Sequence, residues 1–176
     1  MHMWRAATPR RAYAAVMRDQ HSATEPASEV AAAAAAILAG NRYLVLSTAD
    51  RDGRPWASPV YFAAEGTDRF LWVSRPGSEH SRNIAARPEV AIVVFDSSVP
   101  PGQTAAFYAT GIAEEVPPDA VEGAVAVYSD RSVADGLPPW TVETVSAPSE
   151  FRLFRARVVE ASVLMPGREK DFRTPL

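Results

Sequence analysis

With 176 residues, 47% hydrophobic residues and a net charge of −3, the chain has the composition of one globular domain without an overall basic field, which disfavours nucleic acid as a partner. It has no cysteine, so disulfides, zinc thiolate sites and a cysteine nucleophile are excluded. Nowhere do about 18 apolar residues run together, and the opening residues lack an apolar signal segment, so the chain reads as cytoplasmic, with no membrane span.

Residues 1–25 mix Arg, Pro, Ala and polar residues without a period and read as a loose amino-terminal arm. Residues 26–176 read as a single domain. "PASEVAAAAAAILAG" predicts a helix starting at Ser28, with Gly40 placed for a left-handed cap. From Asn41 the pattern becomes that of strands. "RYLVLSTAD" and "WASPVYFAAEG" are joined by "RDGRP", whose Asp-Gly pair marks a tight turn, and Pro59 belongs on an edge strand or at a bulge. "GTD" closes a further hairpin into "RFLWVS". "EVAIVVFD" and "TAAFYATGIAEEV" follow, the latter with Gly111 where a bend or close backbone approach is expected. "PPDAVEGAVAVYSD" has helical spacing, "SVADGLPPWTVETVSAPSE" reads as a loop or short helix, and "FRLFRARVVEASVLM" is a final long strand. These elements predict a mainly β fold with flanking helices, an antiparallel barrel of six strands.

Recognisable catalytic patterns are absent. His2, His21 and His80 are scattered, which predicts no metal site, and there is no "GxSxG" elbow, "GxxxxGK[ST]" loop or "GxGxxG" turn. The unusual stretch is "SRPGSEHSRNIAARPEV", residues Ser74 to Val90. If a helix begins within it after the strand "RFLWVS", its first-turn amides could receive a phosphate, with hydroxyls from Ser74 and Ser78, a fork from Arg82 and a donor from His80. The plainer reading is that Ser78 caps a short surface helix, while Arg82 and Asn83 make local bonds.

The order "LSTADRDGRPWASPVYFAAEG", "FLWVS", "SEHSRNIAARPEVAIVVFD" and "FYATGIAEEV", resuming in "RLFRARVVEAS", resembles the pyridoxamine 5'-phosphate oxidase-like family, the FMN-binding split barrels. The resemblance implies a six-stranded antiparallel split β-barrel of the FMN-binding type. It implies that the backbone of Ser58, Pro59, Val60 and Tyr61 runs along the isoalloxazine ring, and that Trp72, Val73 and Ser74 meet the ring and ribityl phosphate. His80 stands where the family typically has a phosphate-gripping lysine, with Ser78, Ser81, Arg82 and Asn83 as further donors. Either Arg75 or Arg82 then supplies the missing charge, or phosphate affinity is reduced. The resemblance also implies a homodimer with the cofactor at the interface, where Gln103, Trp140, Arg152 or Arg168 of a partner could complete the site. It names no catalytic residue.

The vitamin B6 enzyme itself is not implied. Its substrate-phosphate lysine, expected around Phe62, has no counterpart, and the tail "GREKDFRTPL" lacks the arginine-rich substrate signature. The expected function is an FMN-dependent oxidoreductase exchanging hydride with an unidentified small-molecule substrate. The alternatives are a reductase using a deazaflavin coenzyme and a non-catalytic flavin- or haem-binding dimer.

Overall fold

The computed structural model describes residues 27–166 and 173–176, so the expected amino-terminal arm and Arg168 lie outside the described residues. Helix α1 (Ala27–Gly40) precedes strands β1 (Tyr43–Ala49), β2 (Pro55–Tyr61), β3 (Ala63–Glu65) and β4 (Arg69–Ser74). Helix α2 (Glu79–Ala86), strands β5 (Glu89–Phe95) and β6 (Ala106–Glu115), helix α3 (Val121–Ala134) and strands β7 (Arg152–Leu164) and β8 (Arg173–Pro175) follow. A 3₁₀ turn, Glu143–Val145, lies between α3 and β7.

The strands form one antiparallel sheet in the order β2-β1-β5-β6-β7-β4-β3, with β8 on β7. β2 and β3 lie at opposite ends of that order, yet only Phe62 separates them in the chain. The sheet must therefore curl until its two ends meet, which makes a split barrel. The fold class expected from sequence is thus the one observed. Among the described residues there are eight strands rather than six, because "WASPVYFAAEG" bends at the buried Phe62 into two strands and the short β8 adds another.

Alternation along the strands fills the barrel. Leu44, Leu46, Phe70, Trp72, Ile92, Val94, Phe107 and Ala156 turn inward, and α1 covers this core with Val30, Ala34, Ile37 and Leu38. β4 is buried on both faces, since Leu71 and Val73 pack outward on α3 with Tyr128 and Val125. Pro59 lies on edge strand β2, as its missing N–H requires. Amide bonds from Phe62 to Arg42 and from Asp50 to Arg54 fix the ladder phase, so Pro59, opposite Val45, faces the open edge. Gly53 takes φ 84° in the β1–β2 turn, where the Asp50 carboxylate accepts from the amides of Asp52 and Arg54.

One local expectation fails. Gly40 is not left-handed; the Asn41 side-chain amide instead donates to the Ile37 carbonyl at 2.8 Å and ends α1.

Candidate functional site

The inner row of the barrel changes character at one rim. Along β1, the fully buried Leu44 and Leu46 give way to Thr48, and along β2, Val60 gives way to Ser58 and Trp56. The end of β4 brings Ser74 to the same rim, and the turn after it delivers α2 with Ser78, His80, Ser81 and Asn83.

Trp56, Ser58, Ser74, Ser78 and Ser81 form one connected network centred on His80, beside a separate Thr48–Asn83 pair. Its Nε2 lies 2.7 Å from Ser74 Oγ and 3.1 Å from Ser78 Oγ, and its Nδ1 lies 3.2 Å from Ser58 Oγ. Trp56 donates its indole N–H to Ser58 Oγ at 2.9 Å, and Ser78 donates to Ser81 Oγ at 2.8 Å. Asn83, itself buried, donates to Thr48 Oγ1 at 3.1 Å and ties α2 to β1. An imidazole that bonds hydroxyls on both sides, with no carboxylate among its partners, has nothing to hold a proton in place. Burial accordingly pushes the His80 pKa below its usual value.

That shift has a consequence for stability. The folded chain keeps His80 neutral where the unfolded chain would protonate it. Its contribution is therefore complete above about pH 6.5 and is lost as pH falls through the lower folded value. Urea melts are expected to show declining stability below about pH 6.5, with a shallower decline in His80→Gln. An identical pH dependence in the variant would contradict this assignment.

The positive charge expected around the network is present but engaged. Arg75 makes a bidentate bond to Glu150, at 2.9 Å through both nitrogens, and its guanidinium lies 4.9 Å over the Phe151 ring. Arg82 is held by Glu79 and by the Gly77 carbonyl. Arg152 stands opposite Ser74 in the β4–β7 ladder of its own chain, with Glu115 at 3.5 Å. Solvent-facing pairs such as Arg75–Glu150 and Arg82–Glu79 contribute about 0–1 kcal/mol each, so these two arginines can exchange partners at little cost, whereas the half-buried Arg152 also donates to the Ser149 and Phe151 carbonyls at 2.6 Å.

The amino terminus of α2 is open. The first helical bond runs from the Arg82 amide to the Ser78 carbonyl, which leaves the amides of Glu79, His80 and Ser81 without intrahelical acceptors. Ser78 makes no side-chain cap to them. Ser78 thus occupies the cap position without the side-chain bond of the plainer reading, while Arg82 does make the local bonds that reading expects.

Of the residues named from sequence, Ser58, Ser74, Ser78, His80, Ser81 and Asn83 converge, with Arg82 beside them. Pro59 and Tyr61 lie further along β2 towards its other end, and Val60 turns into the barrel. Trp72 is fully buried, stacked on Phe154 at 6.0 Å, and among the described residues its indole N–H is the only buried side-chain donor without a partner. It does not join the rim. Val73 packs under α3, Gln103 is exposed in the β5–β6 loop, and Trp140 packs on Tyr128 and Phe151. Sequence reasoning missed Thr48, Trp56 and the three glutamates. Thr48 was signalled by the alternation of β1, whereas the ion pairs with Glu150 and Glu115 join residues too far apart in sequence to be anticipated.

A curled antiparallel sheet with a polar rim beside an uncapped helix defines a split-barrel protein. Residues 30–164 match the family model described as pyridoxamine 5'-phosphate oxidase, and the chain belongs to that family. A comparison with curated proteins finds no match. Among solved structures, it is similar to a heme binding protein from Mycobacterium smegmatis, with 24% identity and a TM-score of 0.66 over 87% of this chain and 60% of that one. The chain thus spans less than two thirds of that relative. The heme storage protein HutZ from Vibrio cholerae is 21% identical, with a TM-score of 0.58 over 74% of this chain and 90% of its own. An F420 reductase is 24% identical, with a TM-score of 0.50 over 68% of this chain and 88% of its own. At these identities the likeness establishes the fold. Among the described residues no helix is long and apolar enough to cross a membrane.

Proposed function

We propose that the chain binds FMN and works as a flavin oxidoreductase on a small-molecule substrate, as a homodimer. The observation that carries the reading is the convergence of three serine hydroxyls, Ser74, Ser78 and Ser81, on three unpaired amides at the start of α2. Amides without acceptors at a helix start, with hydroxyls beside them, suit a phosphate. Arg82, on the first turn of the same helix, stands beside them in an exchangeable pair with Glu79. The residues present therefore fit the phosphate of FMN, and the open backbone edge of β2 around Pro59 fits the side of a flat ring.

Bound FMN would supply hydride exchange at N5. The chain's own part is to bind and orient. Ser74, Ser78 and Ser81 would hold the phosphate oxygens and Arg82 would pair with them in place of Glu79, while His80 positions Ser74 and Ser78 through Nε2 and Ser58 through Nδ1. The outer face of β5 and β6, with the exposed Phe95 and Ile112, is the surface on which a second copy would pack.

Pyridoxamine phosphate is not the substrate we propose, because Phe62, near which a substrate-phosphate lysine would be expected, is sealed in the core. Haem is disfavoured by the engagement and burial of His80, whose two nitrogens both bond serines. A deazaflavin phosphate could use the same cradle, so it is the coenzyme to test beside FMN. Steady oxidation of NADH or NADPH by the FMN-loaded protein, with an added acceptor, would support the enzyme. Bound flavin that neither donor reduces would instead indicate a flavin-binding dimer.

A further inference from the structure

Away from the His80 network lies an open cleft of about 920 Å³ that neither the strand pattern nor the flavin reading uses. Its wall is a ladder of five aromatic rings packed edge to face. Tyr43 and Tyr61 lie 6.2 Å apart, Tyr61 and Tyr128 5.8 Å, Tyr128 and Trp140 5.9 Å, and Trp140 and Phe151 5.8 Å. Four parts of the chain build it: β1 and β2 supply the first two rings, α3 the third, and the segment before β7 the last two.

Several of the polar atoms on this wall are already used. The Tyr61 hydroxyl bonds Asp135 at 2.8 Å, and Ser132 Oγ donates to the Pro138 carbonyl at 2.7 Å. The wall therefore offers a ligand aromatic surface and few neutral hydrogen bonds. Among the described residues, the only charged side chain lining the cleft is Glu143, a carboxylate exposed at its mouth. At the far end a cation already sits on a ring of the ladder, Arg75 over Phe151.

We infer that this cleft binds a planar aromatic ligand carrying a positively charged amine, with the ring system against the Tyr43–Tyr61–Tyr128–Trp140 wall and the ammonium near Glu143. Its volume falls in the range of small-molecule sites, about 300–1,000 Å³. Aromatic walls attract cations through the negative faces of their rings. An anionic ligand meets the opposite case, because the lining gives it no cation and one carboxylate. Binding is independent of the flavin. Only the further step, that the occupant is the substrate, rests on the flavin reading, to which Tyr61 connects the cleft as the end of β2.

Calorimetric titration of the full chain without FMN tests this with two probes that share a bicyclic ring and differ in charge, tryptamine and indole-3-acetate. Tryptamine is expected to bind about 3- to 5-fold more tightly, the effect of one exposed charge pair. Glu143→Gln should reduce its affinity about 3-fold and narrow the preference. Tyr43→Ala, at a residue 60% exposed whose loss leaves the core intact, should weaken both probes about 10-fold by removing one ring of the wall. Equal affinity for the two probes, affinities that neither substitution moves, or no saturable binding of tryptamine would each overturn the assignment. None of these results depends on whether FMN binds.

Discussion

Gly111→Ala is expected to destabilise the protein by about 3 kcal/mol, although it adds one methyl group to a strand. β6 and β7 fall out of register at Thr110 and Gly111, where the β7 backbone bulges towards its neighbour. A Cβ on Gly111 would lie 2.6 Å from the Arg157 carbonyl oxygen and 3.3 Å from its carbon. These are backbone atoms of the sheet's longest strand, so they cannot swing aside as a side chain would, and relief requires moving β6 from β7. At this chain length the loss corresponds to roughly 6–12 °C in Tm. Gly123→Ala is the matched control, because Gly123 lies inside α3 with open space where a Cβ would stand, and there the methyl should stabilise by about 0.5–1 kcal/mol. Thermal melts of both variants check the pair. Equal effects would show that the bulge does not hold the two strands as described.

His80→Lys carries the other large effect, and it has two opposite parts. Without ligand, an ammonium in the place of a 9% exposed imidazole meets serine hydroxyls but no carboxylate, so the variant should be less stable than the parent by about 1–3 kcal/mol. With FMN, the same ammonium would face a phosphate, and a hydrogen bond of that charged kind is worth about 1.5–3 kcal/mol, roughly 10- to 100-fold in affinity. The variant is thus expected to melt earlier alone and to gain more from added FMN. Titration by flavin fluorescence, with melts at matched FMN concentrations, measures both parts. If affinity is unchanged while stability falls, His80 does not adjoin the phosphate.

Much of this architecture was legible because it follows from local chemistry. The alternation of β1, the Asp-Gly turn, the edge proline and the mid-strand glycine each impose a backbone state that few other arrangements satisfy. The bend at Phe62 was not legible, since an apolar residue there continues the strand pattern while its backbone turns between the two ends of the sheet. The Gly40 cap failed because the neighbouring Asn41 could satisfy the helix carbonyl with its own amide. For the site, the clustering of Ser74 to Asn83 in sequence foretold most of the network. Trp72 was misleading in another way: β4 is buried on both faces, so a residue at the end of a strand beside the rim still points into the core. The carboxylates that occupy Arg75, Arg82 and Arg152 were hidden for a different reason. Two of those pairs, with Glu150 and Glu115, depend on the turn of β7 beside β4 and β6, which no local pattern encodes.

The most direct test of the flavin reading is the visible absorption spectrum of the purified chain after incubation with FMN and gel filtration. Flavin bands that co-elute with a dimer are the expected result, together with their loss when Ser78 is replaced by Asp, which sets a negative charge among the donors of the cradle. A chain that elutes colourless after FMN incubation would contradict it.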